Sequence, residues 1–417
     1  VAAAMNDAER RAASGQVSVR TPGGVELRLV EVTEELIASA YRVIANGTLW
    51  PLLHGLFDAT YRPVLDRRWH EAWEGYRAYN AAFADEIARV ADDGATVVVN
   101  DYHLALCGSE LAKNRPDLRT IHFSHTPFCG PEELDVLPAQ IRRELLQGLS
   151  AYGTTAFHTH RWARSFERCV ADARMPGANV AVIPLGVDAE ELLRIADTDE
   201  VARSRNDIVA NLGGRRLIFR TDRVEPSKNI VRGFLAYEAL LEDDKSLLDE
   251  VVLSARLYSS RAELPEYIAY RSAIEQVSAR INKRFSRAKH APIELEIADD
   301  LDASIASLSV ADVLLINPIR DGMNLVAKEG AVLSRTYATL GLSVQAGAYE
   351  ELGDYALAIE PFDIAGTAQV LRDALALDER ERRTRWQNLA EIAGRRPPSV
   401  WFGEVVERAT TTENRVS

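Results

Sequence analysis

The sequence predicts an α/β protein with two parallel-sheet domains that face each other across a cleft. Short apolar strands alternate with helices along the chain, which is typical of open parallel sheets. The alternation restarts after Gly186, and 417 residues exceed what one hydrophobic core usually supports. We therefore expect a first domain that ends near Gly186 and a second domain that follows it.

The first domain is predicted from short apolar runs, of which Thr96–Asn100 is typical of a buried strand. Its predicted strands are Val1–Ala4, Leu27–Val30, Thr96–Asn100, Thr120–Ser124 and Val180–Pro184. Its predicted helices lie within an aromatic-rich segment, residues 35–90, and at Leu104–Lys113, Ala139–Leu149 and Trp162–Ala173. Ligands of such sheets bind beyond the carboxyl ends of strands, so the residues after Asn100 and Ser124 are candidates for a site.

The second domain follows a charged helical passage at residues 188–210 and repeats the alternation. Its predicted strands are Leu217–Arg220, Val251–Ala255, Val313–Ile316, Ala338–Ser343 and Ala356–Ile359. Its predicted helices are Ile230–Leu241, Tyr267–Ala279, one that starts at Leu325, and Ala365–Ala376. The tail that follows has a helix break at Pro397-Pro398 and then an amphipathic stretch, Val400–Ala409.

The composition describes a soluble globular protein. Apolar residues make up 47% and charged residues 27% of the chain, and no apolar run is long enough to cross a bilayer. The net charge of −13 disfavours nucleic acid and anionic membrane as partners. The three cysteines have no paired spacing and indicate a reducing compartment, so we expect a cytoplasmic location and no zinc site.

The stretch Arg320–Glu329 suggests an anion site. It follows the buried strand Val313–Ile316, Gly322 permits a tight turn, and a helix is expected from Leu325. Free backbone N–H groups at such a helix start suit a phosphate. Glu329 lies one turn further along, where its carboxylate suits a ribose diol. The alternative is an ordinary strand-to-helix connection.

Arg223 and Lys228 follow the first strand of the second domain and flank a turn that contains Pro226. Both cations can therefore point at one place above the sheet. A guanidinium fork together with a point charge suits a diphosphate and can neutralise a leaving group without a metal. The alternative is a solvated charged loop.

Asp101 and His125 each follow a strand of the first domain. The carboxylate can bind sugar hydroxyls or act as a base, and the imidazole can bind a sugar or shuttle a proton. A capping Asp and a packed His are the alternative.

Tyr41 and Trp50 lie nine residues apart, which is not an α-helical repeat, so they do not form an obvious core stripe. Their rings suit sugar stacking and phosphate contact, with core packing as the alternative.

Two other patterns are rejected as metal sites. Asp300-Leu301-Asp302 has the DxD form of metal-dependent sugar transferases, but it precedes a helical stretch, which favours helix capping. His158 and His160 alternate along an extended segment without neighbouring carboxylates. The chain also lacks the Gly-x-Ser-x-Gly elbow of serine hydrolases and the glycine-lysine loop of phosphate-loop NTPases.

Taken in order, these segments resemble the trehalose-6-phosphate synthases of retaining glycosyltransferase family 20. The matching pieces are Leu49-Trp50-Pro51, Asp101-Tyr102-His103-Leu104, His125-Thr126-Pro127-Phe128, Asp222-Arg223 with Ser227-Lys228, and Arg320–Glu329. The likeness runs from about Tyr41 to the C-terminus, and residues 320–329 are its most specific part.

The resemblance implies the GT-B fold, in which two Rossmann-like domains share the substrates and the C-terminal one holds the nucleotide-sugar donor. A final helix that crosses back gives domains of residues 1–186 plus 397–417 and of residues 187–396. The implied donor-binding residues are Arg223, Lys228, Asp321, Gly322, Met323, Asn324, Leu325 and Glu329. The implied acceptor-binding residues are Tyr41, Trp50, Asp101 and Arg261. The implied catalytic residues are Asp101, His125, Arg223 and Lys228.

The activity that the resemblance implies is transfer of glucose from a nucleoside diphosphate glucose to glucose 6-phosphate, with retention at the anomeric carbon. The departing diphosphate helps to deprotonate the acceptor hydroxyl while Arg223 and Lys228 stabilise its charge. The implied partners are these small-molecule substrates, with no cofactor and no obligatory metal. The donor base and the oligomeric state, including a homo-oligomer, stay open.

The sequence departs from the family pattern at three places. The family's first strand, with an Arg and a Gly-Gly loop, would lie before Val1, so we expect upstream residues. Asn229 stands where the motif has Gly, Val224-Glu225-Pro226 replaces Leu-Asp-Tyr/Trp, and Cys129 replaces Pro.

These changes leave open a relative with another acceptor, such as a glucosylglycerol-phosphate synthase or a cyclitol pseudo-glycosyltransferase. A non-catalytic sugar-nucleotide sensor is a further alternative, although Arg223 and Lys228 are both present.

Overall fold

The computed structural model describes residues 1–3, 9, 13, 19–20, 24–57, 60–261, 264–285 and 290–411. The chain forms two compact units: Val1–Ile183 with Phe402–Ser417, and Pro184–Trp401. None of the described helices is both long and apolar enough to cross a membrane.

A four-stranded parallel sheet forms the centre of the first unit. The strands are Ala2–Ala3 (β1), Val19–Arg20 (β2), Glu26–Leu27 (β3), Leu29–Val30 (β4), Thr96–Asn100 (β5), Arg119–Ser124 (β6), Thr154–Phe157 (β7) and Val180–Val182 (β8). Strands β5, β6, β7 and β8 pair in that order, while β1 pairs with β4 and β2 with β3 in two-stranded sheets. The predicted strand Val1–Ala4 is observed as β1, and Ala4 lies outside the described residues.

The α-helices of the first unit are Glu34–Leu36 (α1), Trp50–Leu53 (α2), Arg67–Val90 (α3), Cys107–Asn114 (α4), Pro131–Leu134 (α5), Ala139–Ser150 (α6) and His160–Asp172 (α7). Side-chain caps start three of them: Thr33 accepts from Leu36 N before α1, Asp66 accepts from Trp69 N before α3, and Thr159 accepts from Trp162 N before α7. Fully buried Phe123 of β6, Phe157 of β7 and Phe166 of α7 belong to the core of this unit.

Residues Ile37–Leu49 form a π-helix between α1 and α2. Its backbone hydrogen bonds reach five residues back, as in Trp50 N to Ala45 O, and the side-chain hydroxyl of Thr48 also donates to Val43 O. A π-helix therefore has more residues per turn than an α-helix, and a spacing of nine residues comes close to two turns. The separation of Tyr41 and Trp50, which fits no α-helical repeat, matches this local geometry.

The second unit contains a six-stranded parallel sheet. Its strands are Arg216–Arg223 (β9), Val251–Tyr258 (β10), Ile293–Ile297 (β11), Val313–Ile316 (β12), Thr339–Ser343 (β13) and Leu357–Ile359 (β14). They pair in the order β11-β10-β9-β12-β13-β14. Counted from the first strand of this unit, that is the order 3-2-1-4-5-6 of dinucleotide-binding sheets. The direction of winding therefore reverses between β9 and β12.

The α-helices of the second unit are Ala189–Ala196 (α8), Asp199–Leu212 (α9), Ile230–Asp243 (α10), Pro265–Phe285 (α11), Leu301–Val310 (α12), Leu325–Leu333 (α13), Tyr349–Leu352 (α14), Ile364–Ala376 (α15) and Glu379–Gly394 (α16). Short 3₁₀ turns lie at Pro226–Lys228 and Lys245–Asp249. The last helix, Pro398–Thr411 (α17), begins in the second unit and ends in the first.

Alternate residues of the central strands enter two separate hydrophobic clusters. Leu217 and Phe219 of β9 belong to one cluster, and Ile218 between them belongs to the other. Leu314 and Leu315 of β12 divide in the same way. Because side chains alternate between the faces of a strand, the sheet is covered on both faces, as parallel sheets require.

Three strands and three helices of the described structure are missing from the sequence prediction, namely β2, β7, β11, α5, α14 and α16. Strand β7 has only four residues, all buried, so it shows no alternation. Strand β11 lies at the edge of its sheet and alternates Ile and Leu with Glu. Helix α16 has seven charged residues among its sixteen and buries only Leu389 and Ala393. The predicted helical passage at residues 188–210 is two helices, α8 and α9.

Candidate active site

The candidate site of the second unit lies where the winding of its sheet reverses. Strand β9 ends at Arg223 and continues into the 3₁₀ turn Pro226–Lys228. Strand β12 ends at Ile316 and leads to helix α13. The carboxyl ends of these neighbouring parallel strands flank the crevice in which open α/β sheets bind ligands. The two sequence segments with the clearest anion patterns therefore meet at this point.

Lys228 and Arg223 supply the positive charge of this site. Lys228 Nζ lies 2.6 Å from Asp321 Oδ2, and its side chain is 13% exposed. Burial lowers the pKa of Lys228, but the carboxylates of Asp321, Asp222 and Glu225 outweigh burial and the net direction is upward. Lys228 is therefore a cation at neutral pH.

Arg223 presents its guanidinium to solvent. Its side chain is 44% exposed, and Nη1 lies 3.1 Å from Oε1 of the buried Glu225. Glu225, which replaces the Asp of the family pattern, therefore orients Arg223 through an ion pair and leaves part of the guanidinium exposed to solvent. A partly open guanidinium beside a buried ammonium matches a diphosphate in charge and geometry.

Helix α13 begins beside these cations. Asn324 caps it by accepting from Ala327 N at 3.2 Å, and Asn324 Nδ2 donates to Asp321 Oδ2 at 3.1 Å. Leu325 is the first helical residue, as predicted. The left-handed residue of the turn is Asn324, with φ +77°, and Gly322 does not take a positive φ. Asn is one of the few residues that tolerate this conformation.

Gly322 and Met323 are buried and contribute backbone to the turn. Ala348 N donates to Met323 O at 2.6 Å, and Gly347 N donates to Asp321 O at 3.1 Å. A Cβ at Gly347 would lie 2.0 Å from Gly322 O, so only glycine fits opposite this turn. The close backbone contact fixes the loop that leads into α13.

Glu329 lies on α13 and is half-buried. Burial raises the pKa of its carboxyl group. Within the described part of the chain its carboxylate has no hydrogen bond or ion pair. A half-buried acceptor of this kind suits the hydroxyl pair of a ribose.

Asp101 is held in an uncommon backbone conformation at the end of β5. Its φ is +63°, its N–H donates to Phe123 O at 2.8 Å, and its carbonyl lies 3.0 Å from Nε2 of His122. Its carboxylate accepts from the backbone N–H of His125 at 2.8 Å. A non-glycine residue with positive φ that tertiary contacts hold in place is typical of functional positions. The carboxylate couples the ends of β5 and β6.

His125 belongs to a row of polar side chains at the ends of three strands. Its Nδ1 lies 3.1 Å from His158 Nε2, and its Nε2 lies 3.0 Å from Asn100 Oδ1. Burial lowers the pKa of His125, although the charge of Asp101 opposes the shift. Both ring nitrogens have protein partners, so a sugar hydroxyl would share or replace the contact with Asn100.

Sequence reasoning missed His158, which was rejected together with His160 as a metal ligand. His158 follows β7, a strand that was not predicted, so nothing in the sequence brought it next to His125. His160 is the exposed first residue of α7. His122, Asn100 and Glu225 were not proposed as site residues. His122 and Asn100 lie close to the motifs that begin at Asp101 and His125, and Glu225 lies two residues after Arg223.

The predicted acceptor residues belong to both units. Tyr41 of the π-helix stacks on His103 with ring centroids 5.1 Å apart. Trp50 is 5% exposed and packs on His54 at 4.3 Å, so little of its indole is open to a ligand. In the second unit Arg261, with φ +43°, donates to Tyr267 Oη at 2.6 Å. Acceptor binding by these residues stays a prediction.

The DxD segment is a helix cap, as predicted. Asp300 Oδ1 accepts from Ala303 N at 2.9 Å and starts α12. Across the described ranges, with their gaps at 4–8, 10–12, 14–18, 21–23, 58–59, 262–263, 286–289 and 412–417, no three His, Cys, Asp or Glu side chains group as metal ligands.

In the second unit, Arg223 and Lys228 lie beside the start of helix α13, at the switch point of a parallel sheet. The first unit also contains a parallel sheet. Two such units with this anion site define the GT-B class of glycosyltransferases. The sequence model of glycosyltransferase family 20 matches residues 1–411. The chain therefore belongs to glycosyltransferase family 20.

Three similar proteins show how far the likeness extends. The bifunctional trehalose-6-phosphate synthase/phosphatase of Thermoproteus tenax is 30% identical over 395 residues, which cover 91% of this chain and 52% of that protein. The trehalose-6-phosphate synthase of Mycobacterium sp. (strain JLS) is 33% identical over 392 residues, 88% of this chain and 79% of that protein.

The third is a solved structure, the alpha,alpha-trehalose-phosphate synthase (UDP-forming) from Burkholderia xenovorans in complex with glucose-6-phosphate. It matches with a TM-score of 0.86 and 29% identity, over 94% of this chain and 88% of that one. The chain spans about half the length of the first curated relatives that it matches.

Proposed function

We propose that this chain is a retaining hexosyltransferase that moves glucose from a nucleoside diphosphate glucose to glucose 6-phosphate and so makes trehalose 6-phosphate. The observation that carries the proposal is the position of Arg223 and Lys228 beside the start of α13, at the switch point of the sheet. The acceptor is supported by the Burkholderia xenovorans synthase, which was solved in complex with glucose-6-phosphate.

Uridine is the donor base that we propose. The Burkholderia xenovorans protein is described as UDP-forming. On the chain itself, Glu329 offers an acceptor for the ribose hydroxyls, a feature that all ribonucleotides share. The choice of uridine therefore rests on the similarity to the Burkholderia xenovorans protein, and donors with other bases have to be compared with it.

Charge stabilisation by the protein is the proposed core of the mechanism. As the bond between glucose and diphosphate breaks, negative charge grows on the leaving group. Lys228 and the open part of the Arg223 guanidinium neutralise it, and the backbone N–H groups at the start of α13 add hydrogen bonds. The leaving group helps to take the proton of the attacking hydroxyl on the same face of the sugar, which retains the anomeric configuration.

Asp321 has two parts in this proposal. It holds Lys228 before the donor arrives, and its carboxylate accepts from donor sugar hydroxyls when the diphosphate takes its share of the ammonium. The charge that a metal ion supplies in other transferases comes here from the two side-chain cations, so we propose a reaction without an obligatory metal.

A cytoplasmic site of action is part of the proposal. Cys107, Cys129 and Cys169 are all buried free thiols in the described structure, which supports a reducing compartment.

The test is a matrix of three donors, UDP-, GDP- and ADP-glucose, against glucose 6-phosphate, glycerol 3-phosphate and no acceptor. We measure nucleoside diphosphate release with and without a chelator, and NMR of the product assigns the anomeric linkage.

Release of UDP that depends on glucose 6-phosphate, with an α,α-linked product, is the expected result. Preference for glycerol 3-phosphate would instead identify a relative with another acceptor. Donor binding without release under any acceptor would favour a sugar-nucleotide sensor and contradict the proposed activity.

A further inference from the structure

Asn229 joins the 3₁₀ turn that carries Lys228 to helix α10. Its backbone is left-handed, with φ +57° and ψ +35°. Glycine takes this conformation freely and asparagine tolerates it, so the backbone explains why either residue can stand here. It does not explain the side chain, because Asn229 is only 2% exposed and its amide lies inside the unit.

Every polar atom of the Asn229 side chain has a protein partner. Its Nδ2 donates to Asn317 O at 2.9 Å and to Pro361 O at 2.6 Å, and its Oδ1 accepts from Arg232 Nη1 at 2.9 Å. Two carbonyl groups on one side and a guanidinium on the other permit only one orientation of the amide. The side chain therefore ties together the segments that follow β9, β12 and β14.

Asn317 returns the contact. Its Nδ2 donates to Asn229 O at 3.2 Å, and its Oδ1 accepts from Arg220 Nη1 at 3.0 Å. The buried Arg220 also donates from Nη2 to Lys228 O at 2.9 Å. Gly233 leaves space for this guanidinium, because a Cβ there would lie 2.5 Å from Arg220 Nη1. We call Arg220, Asn229 and Asn317 the loop bracket.

We propose that the loop bracket positions Lys228 relative to Asp321 and the start of α13, and that the side chain of Asn229 is its central member. Lys228 is fixed from both sides, since Arg220 binds its carbonyl and Asn229 follows it in the chain. Asp321 lies four residues after Asn317. The consequence for catalysis rests on the proposed function, in which Lys228 binds the donor diphosphate.

The variant Asn229→Gly separates the side chain from the backbone. Glycine keeps the left-handed conformation without strain but removes the three side-chain hydrogen bonds of Asn229, to Asn317, Pro361 and Arg232. Asn229→Asp keeps the shape and the contact with Arg232, but its carboxylate faces two carbonyl oxygens to which it cannot donate. A site that needs only the left-handed backbone would rank Gly at least equal to Asn. The loop bracket predicts the order Asn, Gly, Asp.

Amide hydrogen exchange gives a readout that needs no substrate. Ile319 N donates to Ser227 O at 2.8 Å, a backbone bond that joins the two loops directly. We expect exchange at Ile319 to be at least about tenfold faster in Asn229→Gly than in the unmodified protein, because the loops separate more often. Mass spectrometry of the peptide that contains residues 317–321 measures it.

Kinetics give the second readout. We expect kcat/KM for the nucleoside diphosphate glucose to fall about tenfold in Asn229→Gly and further in Asn229→Asp, since small misplacements of binding groups reduce rates strongly. KM for glucose 6-phosphate stays near its original value. The control is Arg174→Gly, an exposed left-handed residue of the first unit with φ +53°, which changes neither readout.

Unchanged exchange at Ile319 in Asn229→Gly overturns the proposal. Faster exchange with unaltered donor kinetics in an active enzyme also overturns it, because the bracket would then serve stability alone. Faster exchange in a protein that turns over no donor leaves the bracket in place and rejects the proposed function instead.

Discussion

Lys228 and Arg223 are neighbouring cations that the protein holds in different ways. Lys228 is largely buried against Asp321, whereas Arg223 rests on Glu225 and faces solvent. We expect Lys228→Ala and Arg223→Ala each to lower kcat by about 10²–10³-fold, because the charge of the leaving group loses a partner. Arg223→Lys keeps the positive charge but loses the two-pronged hydrogen bonding of the guanidinium. We expect its kcat to lie between those of the unmodified protein and Arg223→Ala.

Steady-state kinetics with saturating donor measure these changes. Arg194→Ala, which removes an exposed arginine of the same unit, serves as the control and should leave kcat unchanged. Near-normal kcat in both alanine variants would reject the roles that we assign to the two cations.

His122 gives the first unit a pH-dependent stability. Burial lowers the pKa of His122 from 6.5 to about 4 in the folded state. The unfolded chain therefore binds one more proton between about pH 4 and 6.5, and the free energy of unfolding decreases as the pH falls through that window. The full contribution is on the order of 3 kcal/mol.

His122→Gln removes the titrating group while keeping a donor for Asp101 O. Urea unfolding at several pH values between 4 and 7.5 should show a smaller loss of stability on acidification in this variant than in the unmodified protein. Parallel pH profiles for the two proteins would contradict the assignment.

The sequence alone predicted which motif residues form the site, but it did not predict the buried residues that hold them in place. Arg223, Lys228 and Asp321 could be proposed because charged residues next to a glycine or proline turn carry their chemistry in the sequence. Their supports could not, because Arg220, Asn229 and Asn317 act through contacts nearly a hundred residues apart in the chain. Asn229 stood out in the sequence as a departure from the family's Gly, but nothing in the sequence indicated the contacts that its side chain makes.

Helix α12 distinguishes the two interpretations of Asp300-Leu301-Asp302, a metal site and a helix cap. Asp300 caps the helix and Asp302 lies in its first turn. We expect Asp300→Ala to reduce stability by about 1 kcal/mol through loss of the cap, without any change in the response of activity to divalent metal. Thermal unfolding and a metal titration test both parts.

The matched variant Asp302→Ala should change neither stability nor metal response, because Asp302 accepts no capping hydrogen bond in the structure. A metal-dependent loss of activity in either variant would revive the DxD segment as a metal site.

Elements were predictable where apolar runs had a clear period. Strands β5 and β12 have the predicted bounds because each is a short run rich in β-branched and aliphatic residues. The prediction that β5 is buried was wrong for most of its length, since Val99 is its one buried residue, whereas all four residues of β12 are buried. Strand β11 carries an alternating pattern that could have been recognised, since Glu294 and Glu296 separate three apolar residues. The π-helix could not be predicted from the sequence. π-Helices are rare, and the sequence patterns used to recognise elements are those of α-helices and strands.

At the scale of the molecule, the second unit has its own complete core. Both hydrophobic clusters that cover its sheet consist of residues between Val187 and Ala393. We therefore expect residues 184–401, expressed alone, to unfold cooperatively and to bind UDP. Circular dichroism during thermal unfolding and calorimetric titration with UDP measure the two properties.

A fragment that lacks cooperative unfolding would show that this unit depends on the rest of the chain. The same fragment with Lys228→Ala should fold equally well and bind UDP more weakly, which separates a folding failure from a binding failure.

The division of the first unit between the two ends of the chain also sets an order in time. Val405 and Ala409 of α17 are buried in the finished fold, but they leave the ribosome after the entire second unit has been made. At about 5–20 residues per second, that delay is roughly ten to forty seconds. The second unit therefore has all its residues before the first unit does, and the part of the first unit's core that contains Val405 and Ala409 can form only after the second unit has been synthesised.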